Sequence, residues 1–170
     1  MRPRSVLAVI LLLLVVIAAG YVLVTQGSPT PPPAESGIPA AATEATVEYV
    51  HDGDTLFLAD GRKVRLLGVN TPEVGDDREC YGDEARALLR QLLPEGARVW
   101  VLPDIEPLDQ YGRSLLFIYT DDALNVNLEL LRLGAAEVEM YEPNVMLRDA
   151  IESTEQEAFD ARLGMWGACR

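Results

Sequence analysis

The chain has 170 residues, with 27 Asp or Glu against 14 Lys or Arg and a formal net charge of -13. Its only lysine is Lys63; the other basic side chains are arginines. This balance excludes a broad basic coat of the kind that holds nucleic acid by releasing counterions. Contact with a polyanion would have to rest on a few well-placed arginines, a bridging metal or high-salt surroundings.

Residues 6–24 are uncharged and almost wholly aliphatic, and Arg2 and Arg4 precede them. Such a start has two fates. An apolar run of about 20 residues can cross a bilayer as a helix and stay as a signal anchor. A signal peptide is instead removed behind small residues such as Ala18-Ala19-Gly20. The apolar run resumes at Tyr21, which favours the anchor. The leading arginines keep the N-terminus in the cytoplasm and put everything after the run outside. The expected location is therefore the cell membrane, single-pass with the domain outside, or the exterior after cleavage. Residues 25–44 are rich in Pro, Ser, Thr and Ala, with Pro31-Pro32-Pro33 at the centre. They cannot bury a core and form a tether. Residues 45–170 are left as the globular domain, long enough for a single core.

Within that domain, apolar alternation and β-branched residues predict strands at 46–51, 55–58, 63–69, 98–102, 114–119 and near 136–140. Asp60-Gly61 marks a hairpin turn between the second and third. Helical spacing predicts a helix from Asp83 to the stop at Pro94, another over 125–133 ended by Gly134, and a third whose stripe runs from Leu147 to Ala161. Strands interleaved with helices in so small a domain define an α+β fold on a small barrel.

The two cysteines, Cys80 and Cys169, lie far apart and in no C-x-x-C arrangement. Outside the cytoplasm they read as one disulfide; two separate buried thiols are the alternative.

Three segments carry chemistry. In His51-Asp52-Gly53-Asp54-Thr55, two acids flank a glycine between strands. An ordinary Asp-Gly turn has this composition, but so does a loop presenting oxygen ligands to a hard cation. In the segment from Arg65 to Glu73, an arginine within an apolar strand needs an anionic partner or ligand. Asn70, the Thr71 carbonyl and Glu73 follow it as hard donors, their direction set by Pro72. A structural ion pair would explain Arg65 but not the donors. In Asp109-Gln110-Tyr111-Gly112-Arg113, a second guanidinium suited to phosphate stands beside a ring able to stack on a base.

Taken in order, Asp-Gly-Asp-Thr, Arg65 with Thr71-Pro72-Glu73, and Asp-x-Tyr-Gly-Arg closely resemble the staphylococcal nuclease (thermonuclease) family. The resemblance runs from about Val47 to Gly167, through Tyr81-Gly82-Asp83, Asn127-Leu128-Glu129, Tyr141-Glu142-Pro143-Asn144 and Trp166-Gly167. It implies a five-stranded OB-fold β-barrel with three helices. It also implies a Ca²⁺-dependent endonuclease that hydrolyses phosphodiester bonds of DNA and RNA, single-stranded or locally open, to 3′-phosphorylated ends. By position, Asp54, Asn70 and the Thr71 backbone carbonyl would bind the metal, with Asp52 in its outer shell. Arg65, Glu73 and Arg113 would be catalytic, Glu73 serving the attacking water and the arginines the phosphate. Tyr111 and Tyr141 would contact the nucleotide. His51, which this chemistry does not need, is expected to be structural, and the protein to be a monomer.

Three departures separate the chain from that pattern. Asn70 stands where the family usually has Asp, Glu139 replaces one aromatic of the nucleotide pocket, and Val74-Gly75-Asp76-Asp77 replaces a lysine-rich loop. These losses leave a second reading open: a non-catalytic OB-fold module, tethered to the membrane, that binds nucleic acid or protein.

Overall fold

A computed structural model describes residues 37–169. The apolar run 6–24, the first part of the tether and the terminal Arg170 lie outside the described residues. Among the described residues no helix is long and apolar enough to cross a membrane.

Among the described residues seven strands and four α-helices follow one another, with a 3-10 turn at Gly75–Asp77: β1 (Thr43–Val50), β2 (Thr55–Leu58), β3 (Lys63–Leu66), β4 (Gly68–Asn70), α1 (Gly82–Leu92), β5 (Arg98–Leu108), β6 (Ser114–Thr120), α2 (Val126–Arg132), β7 (Glu137–Glu139), α3 (Arg148–Asp160) and the one-turn α4 (Met165–Ala168). Five strands close into a barrel in the order β1-β2-β3-β6-β5, while β4 and β7 form a separate two-stranded sheet. Closure depends on one parallel pair, β3 with β6, in which Arg65 faces Leu115. The other barrel pairs are antiparallel. This is the expected α+β barrel, with α1, α2 and α3 as its three expected helices and α4 a further single turn.

Side-chain alternation explains the interior. Leu56, Leu58, Val64, Leu66, Val99 and Val101 point inward and are essentially inaccessible. Strand β6 is buried on both faces because α2 covers its outer side. There the Asn127 amide oxygen accepts from the Ile118 N–H at 3.0 Å, and its amide nitrogen donates to the carbonyls of Leu67 at 2.8 Å and Leu116 at 3.2 Å. Helix α2 starts where the Asn125 side chain accepts from the Leu128 N–H, and stops at Gly134 with φ of 65°.

The 63–69 run divides in two. Gly68 adopts φ of 75°, and a Cβ there would stand 2.3 Å from Ile151 Cδ1 of α3, so the chain breaks between β3 and β4 and packs flush on the helix. Strand β4 then pairs with β7, Asn70 opposite Glu137 and Gly68 opposite Glu139. Strand β7 is fixed in turn by the Val138 N–H, which donates to Glu155 of α3 at 2.7 Å. Strand β5 runs past 102 to Leu108, rejoining β6 at Ser114. Cys80 and Cys169 form a disulfide that spans 89 residues. A cross-link of that span stabilises a fold by roughly 4–5 kcal/mol in the chain-entropy picture.

Candidate active site

The turn between β1 and β2 is organised by Asp52, whose Oδ1 accepts from the backbone N–H of Asp54 at 3.1 Å and of Thr55 at 2.6 Å. Gly53 lets this turn lie against the next segment, since a Cβ at 53 would come within 2.5 Å of the Thr71 hydroxyl. Asp54 is thereby pressed into the interior beside Thr71. Its Oδ2 accepts from the Thr71 N–H at 2.9 Å and the Thr71 hydroxyl at 3.1 Å, and Oδ1 accepts from the Thr55 hydroxyl at 3.1 Å.

Arg65 enters from β3 on the barrel's outer side and is 5% exposed. Nη1 donates to the carbonyls of Leu66 at 3.1 Å and Val69 at 2.5 Å and lies 3.2 Å from Asp54 Oδ2. Nη2 donates to Asn70 Oδ1 at 3.1 Å and to Glu139 Oε2 at 2.7 Å. Asn70 in turn donates from Nδ2 to Glu137 Oε1 at 3.3 Å. Burial pushes the Asp54 carboxyl above its ordinary range and the Asp52 charge adds to the rise. The Arg65 guanidinium and the Thr71 hydrogen bonds oppose it without cancelling it.

Arg113 sits just ahead of β6, two residues before Leu115, and therefore leaves the sheet on the same face as Arg65. Asp109 holds it, accepting from its Nε at 2.6 Å and its backbone N–H at 2.8 Å. Burial alone would raise the Asp109 carboxyl, but the hydrogen bonds from Arg113 and Tyr111 outweigh it and keep that carboxyl below the usual range. The guanidinium stacks over the Tyr111 ring at 5.6 Å, and that ring is 76% exposed. Arg65, Arg113, Tyr111, Tyr141, Leu115 and Asn144 line a single cavity of about 380 Å³. Burial and the hydrogen bond with Glu139 push the Tyr141 phenol upward.

The predicted residues thus fall into three groups. Asp54, Arg65, Asn70 and Thr71 share one hydrogen-bonded network, with Asp52 behind it. Arg65, Arg113, Tyr111 and Tyr141 share the cavity. Glu73 joins neither by hydrogen bonding: it is exposed, and among the described residues its carboxylate has no hydrogen-bond partner. Its backbone is nonetheless fixed, because its N–H donates to Glu79 Oε2 at 3.0 Å and a Cβ on Gly82 would stand 2.2 Å from its carbonyl.

Two residues matter more than sequence reading foresaw. Glu139 bridges Arg65 and Tyr141 as a counter-charge. Asn144, buried, fixes the cavity's outer wall by accepting from the Glu106 N–H at 2.8 Å and donating to its carbonyl at 2.9 Å. The sequence signal for Glu139 was its place in a position expected to be aromatic; Asn144 stood out only as the end of the Tyr141-Glu142-Pro143-Asn144 segment.

Among the described residues no three Asp, Glu, His or Cys side chains converge as a ready metal cage. The available donors are the Asp54 carboxylate, the Asn70 amide oxygen and the Thr71 carbonyl. These are hard oxygens that suit a cation which completes its shell with water and substrate. The structural sign that they fit is the burial of the Asp54 carboxylate, whose one cation within ion-pair distance, Arg65, is shared with Glu139.

A closed barrel whose cavity gathers two guanidinium groups and two exposed rings, with buried oxygen donors joined to it through Arg65, is of the phosphodiester-hydrolysing nuclease class. The chain belongs to the staphylococcal nuclease homologue family, whose model matches residues 63–168. It is 36% identical over 126 residues to a thermonuclease of Staphylococcus intermedius, covering 71% of this chain and 74% of that protein. It is 34% identical over 128 residues to endonuclease YncB of Bacillus subtilis, covering 71% of this chain and 60% of that one. A prophage-derived endonuclease of the same organism, YokF, is 32% identical over 130 residues, covering 72% of this chain and 44% of that protein.

Proposed function

We propose that this protein is a calcium-dependent endonuclease of DNA and RNA that leaves 3′-phosphorylated ends on single-stranded or locally open substrate. It would work outside the cytoplasm, held at the membrane by residues 6–24 or released by their cleavage. The observation that carries this reading is that Arg65 and Arg113 leave one sheet face into one cavity shared with Tyr111 and Tyr141.

Asp54, Asn70 and the Thr71 carbonyl would hold calcium, which supplies positive charge against a phosphoryl oxygen when bound. The two arginines then meet charge that grows on the equatorial oxygens, from positions fixed before substrate arrives. Glu73, whose carboxylate is exposed, accepts a proton from the attacking water. A bond forms between that water's oxygen and phosphorus, the bond to the 5′ oxygen breaks, and this oxygen takes a proton from solvent. The phosphate stays on the 3′ carbon. Glu139 already occupies Arg65 Nη2 at 2.7 Å, so an incoming phosphate must displace it.

The same contact favours the second reading, a binding module without catalysis, because both cleft arginines are already paired with carboxylates. The two readings part in one experiment. The full chain is incubated with single-stranded DNA in calcium or in chelator, beside Glu73→Gln. Cleavage that requires calcium and falls at least about a hundredfold in the variant is expected. Cleavage indifferent to chelator and variant would sink the mechanism, and none at millimolar calcium would select the binding module.

A further inference from the structure

A row of side chains outside the catalytic cavity has a composition unusual for this acidic chain. Tyr49 on β1 faces Phe57 on β2, which faces Lys63 on β3. All three point away from the core, since Val50, Leu56 and Val64 beside them fill it. The Tyr49 and Phe57 rings stack with centroids 4.6 Å apart and planes 12° from parallel. Lys63 Nζ lies 5.7 Å over the Phe57 ring, and His51 meets that ring edge-on at 6.4 Å.

Charge singles out the same place. Among the described residues every Lys and Arg makes an ion pair except Lys63, Arg90 and Arg162. Two of those three are at this row. Lys63 belongs to it, and exposed Arg90 reaches it from α1, donating to the carbonyl of Val50, between Tyr49 and His51. The chain's sole lysine and sole histidine thus collect around two stacked rings. A ring pair across strands also steadies a sheet, but that role needs neither the exposure of Tyr49 nor cations left without acids.

The row is continuous with the cleft. Thr55 and Arg65 pair one repeat further along β2 and β3, on the same face and about 7 Å away. A strand whose phosphate sits at Arg65 would pass its neighbouring nucleotides over these rings. Stacking serves any base, and unpaired cations beside it suit the backbone.

We propose that Tyr49, Phe57 and Lys63 form a second nucleic-acid subsite. A base of a single strand stacks on Tyr49, while Lys63 holds an adjoining phosphate. The ligand class rests on the nuclease reading, and the test keeps the two separable.

Binding is followed by fluorescence anisotropy on the full chain carrying Glu73→Gln, with labelled oligothymidylate of about twelve nucleotides and with a labelled dinucleotide. Tyr49→Ala and Lys63→Gln are expected to weaken the longer probe about tenfold each, with Tyr49→Phe keeping it. The dinucleotide should bind as before. Lys63→Gln should also lower the slope of log affinity on log salt by about 0.7. Unchanged affinity for the longer probe overturns the subsite, as does equal loss on both probes or no binding of the longer probe by the parent. A chain with Glu73 intact that cleaves nothing, but still needs Tyr49 and Lys63 to bind, keeps the subsite and removes the nuclease reading.

Discussion

The two arginines of the cleft are secured in opposite ways. Arg65 is buried and touches four chain segments: its own strand, the Asp54 turn, β4 and β7. Arg113 lies in a half-exposed turn and is held by one carboxylate four residues away. One guanidinium is thus part of the fold and the other is mounted on it. A phosphate-binding group can be fixed by desolvation and many partners or by a short local clamp, and the first choice joins catalysis to stability.

Replacing each arginine should separate the two designs. Arg65→Ala leaves Asp54 buried without its cation and should cost about 3–5 kcal/mol of stability, read as a shifted urea midpoint, together with cleavage. Arg65→Lys should not restore cleavage, because an ammonium cannot span Asp54, Asn70 and Glu139 at once. Arg113→Ala should lower kcat about a hundredfold or more. Its urea midpoint should move by under about 1 kcal/mol, the usual range for an accessible pair. Equal stability losses for the two would abolish the contrast.

Smaller effects sharpen it. Glu139→Gln frees one face of Arg65 and should tighten inorganic phosphate roughly tenfold by calorimetry, while the same substitution at Glu142 should leave it unchanged. Asn70→Asp restores a carboxylate beside Asp54 and should shift a calcium titration to roughly tenfold lower concentration without substrate. An unmoved titration would remove Asn70 from the metal site.

Much of the barrel could be read from its sequence because its strands are short, half-buried and alternating. Leu56, Leu58, Val64 and Leu66 announce one inward face. The break after Leu66 could not be read, because it depends on Gly68 meeting Ile151, 83 residues along the chain. Nor could the length of β5, where Pro103 and Pro107 look like stops but lie in an arm whose far end finds Ser114 again. The site divides in the same way. Asp54, Thr71 and Arg113 sit in local turns whose residue types state their purpose. The partner of Arg65, Glu139, is 74 residues away and arrives only through the pairing of β4 with β7.

For a domain that works outside the cytoplasm, as we propose, the disulfide has a consequence for survival. Cys80 follows Glu79, the residue that accepts from the Glu73 N–H, and Cys169 stands at the other end of a ring of 89 residues. A protease that nicks any exposed loop in that ring would produce two fragments that cannot diffuse apart. After a nick between Cys80 and Arg113, Arg113 and Arg65 would remain in one particle although they no longer shared an unbroken backbone. Nicked protein should keep its activity until a reductant is added, so damage in hostile surroundings would be tolerated for as long as those surroundings stay oxidising.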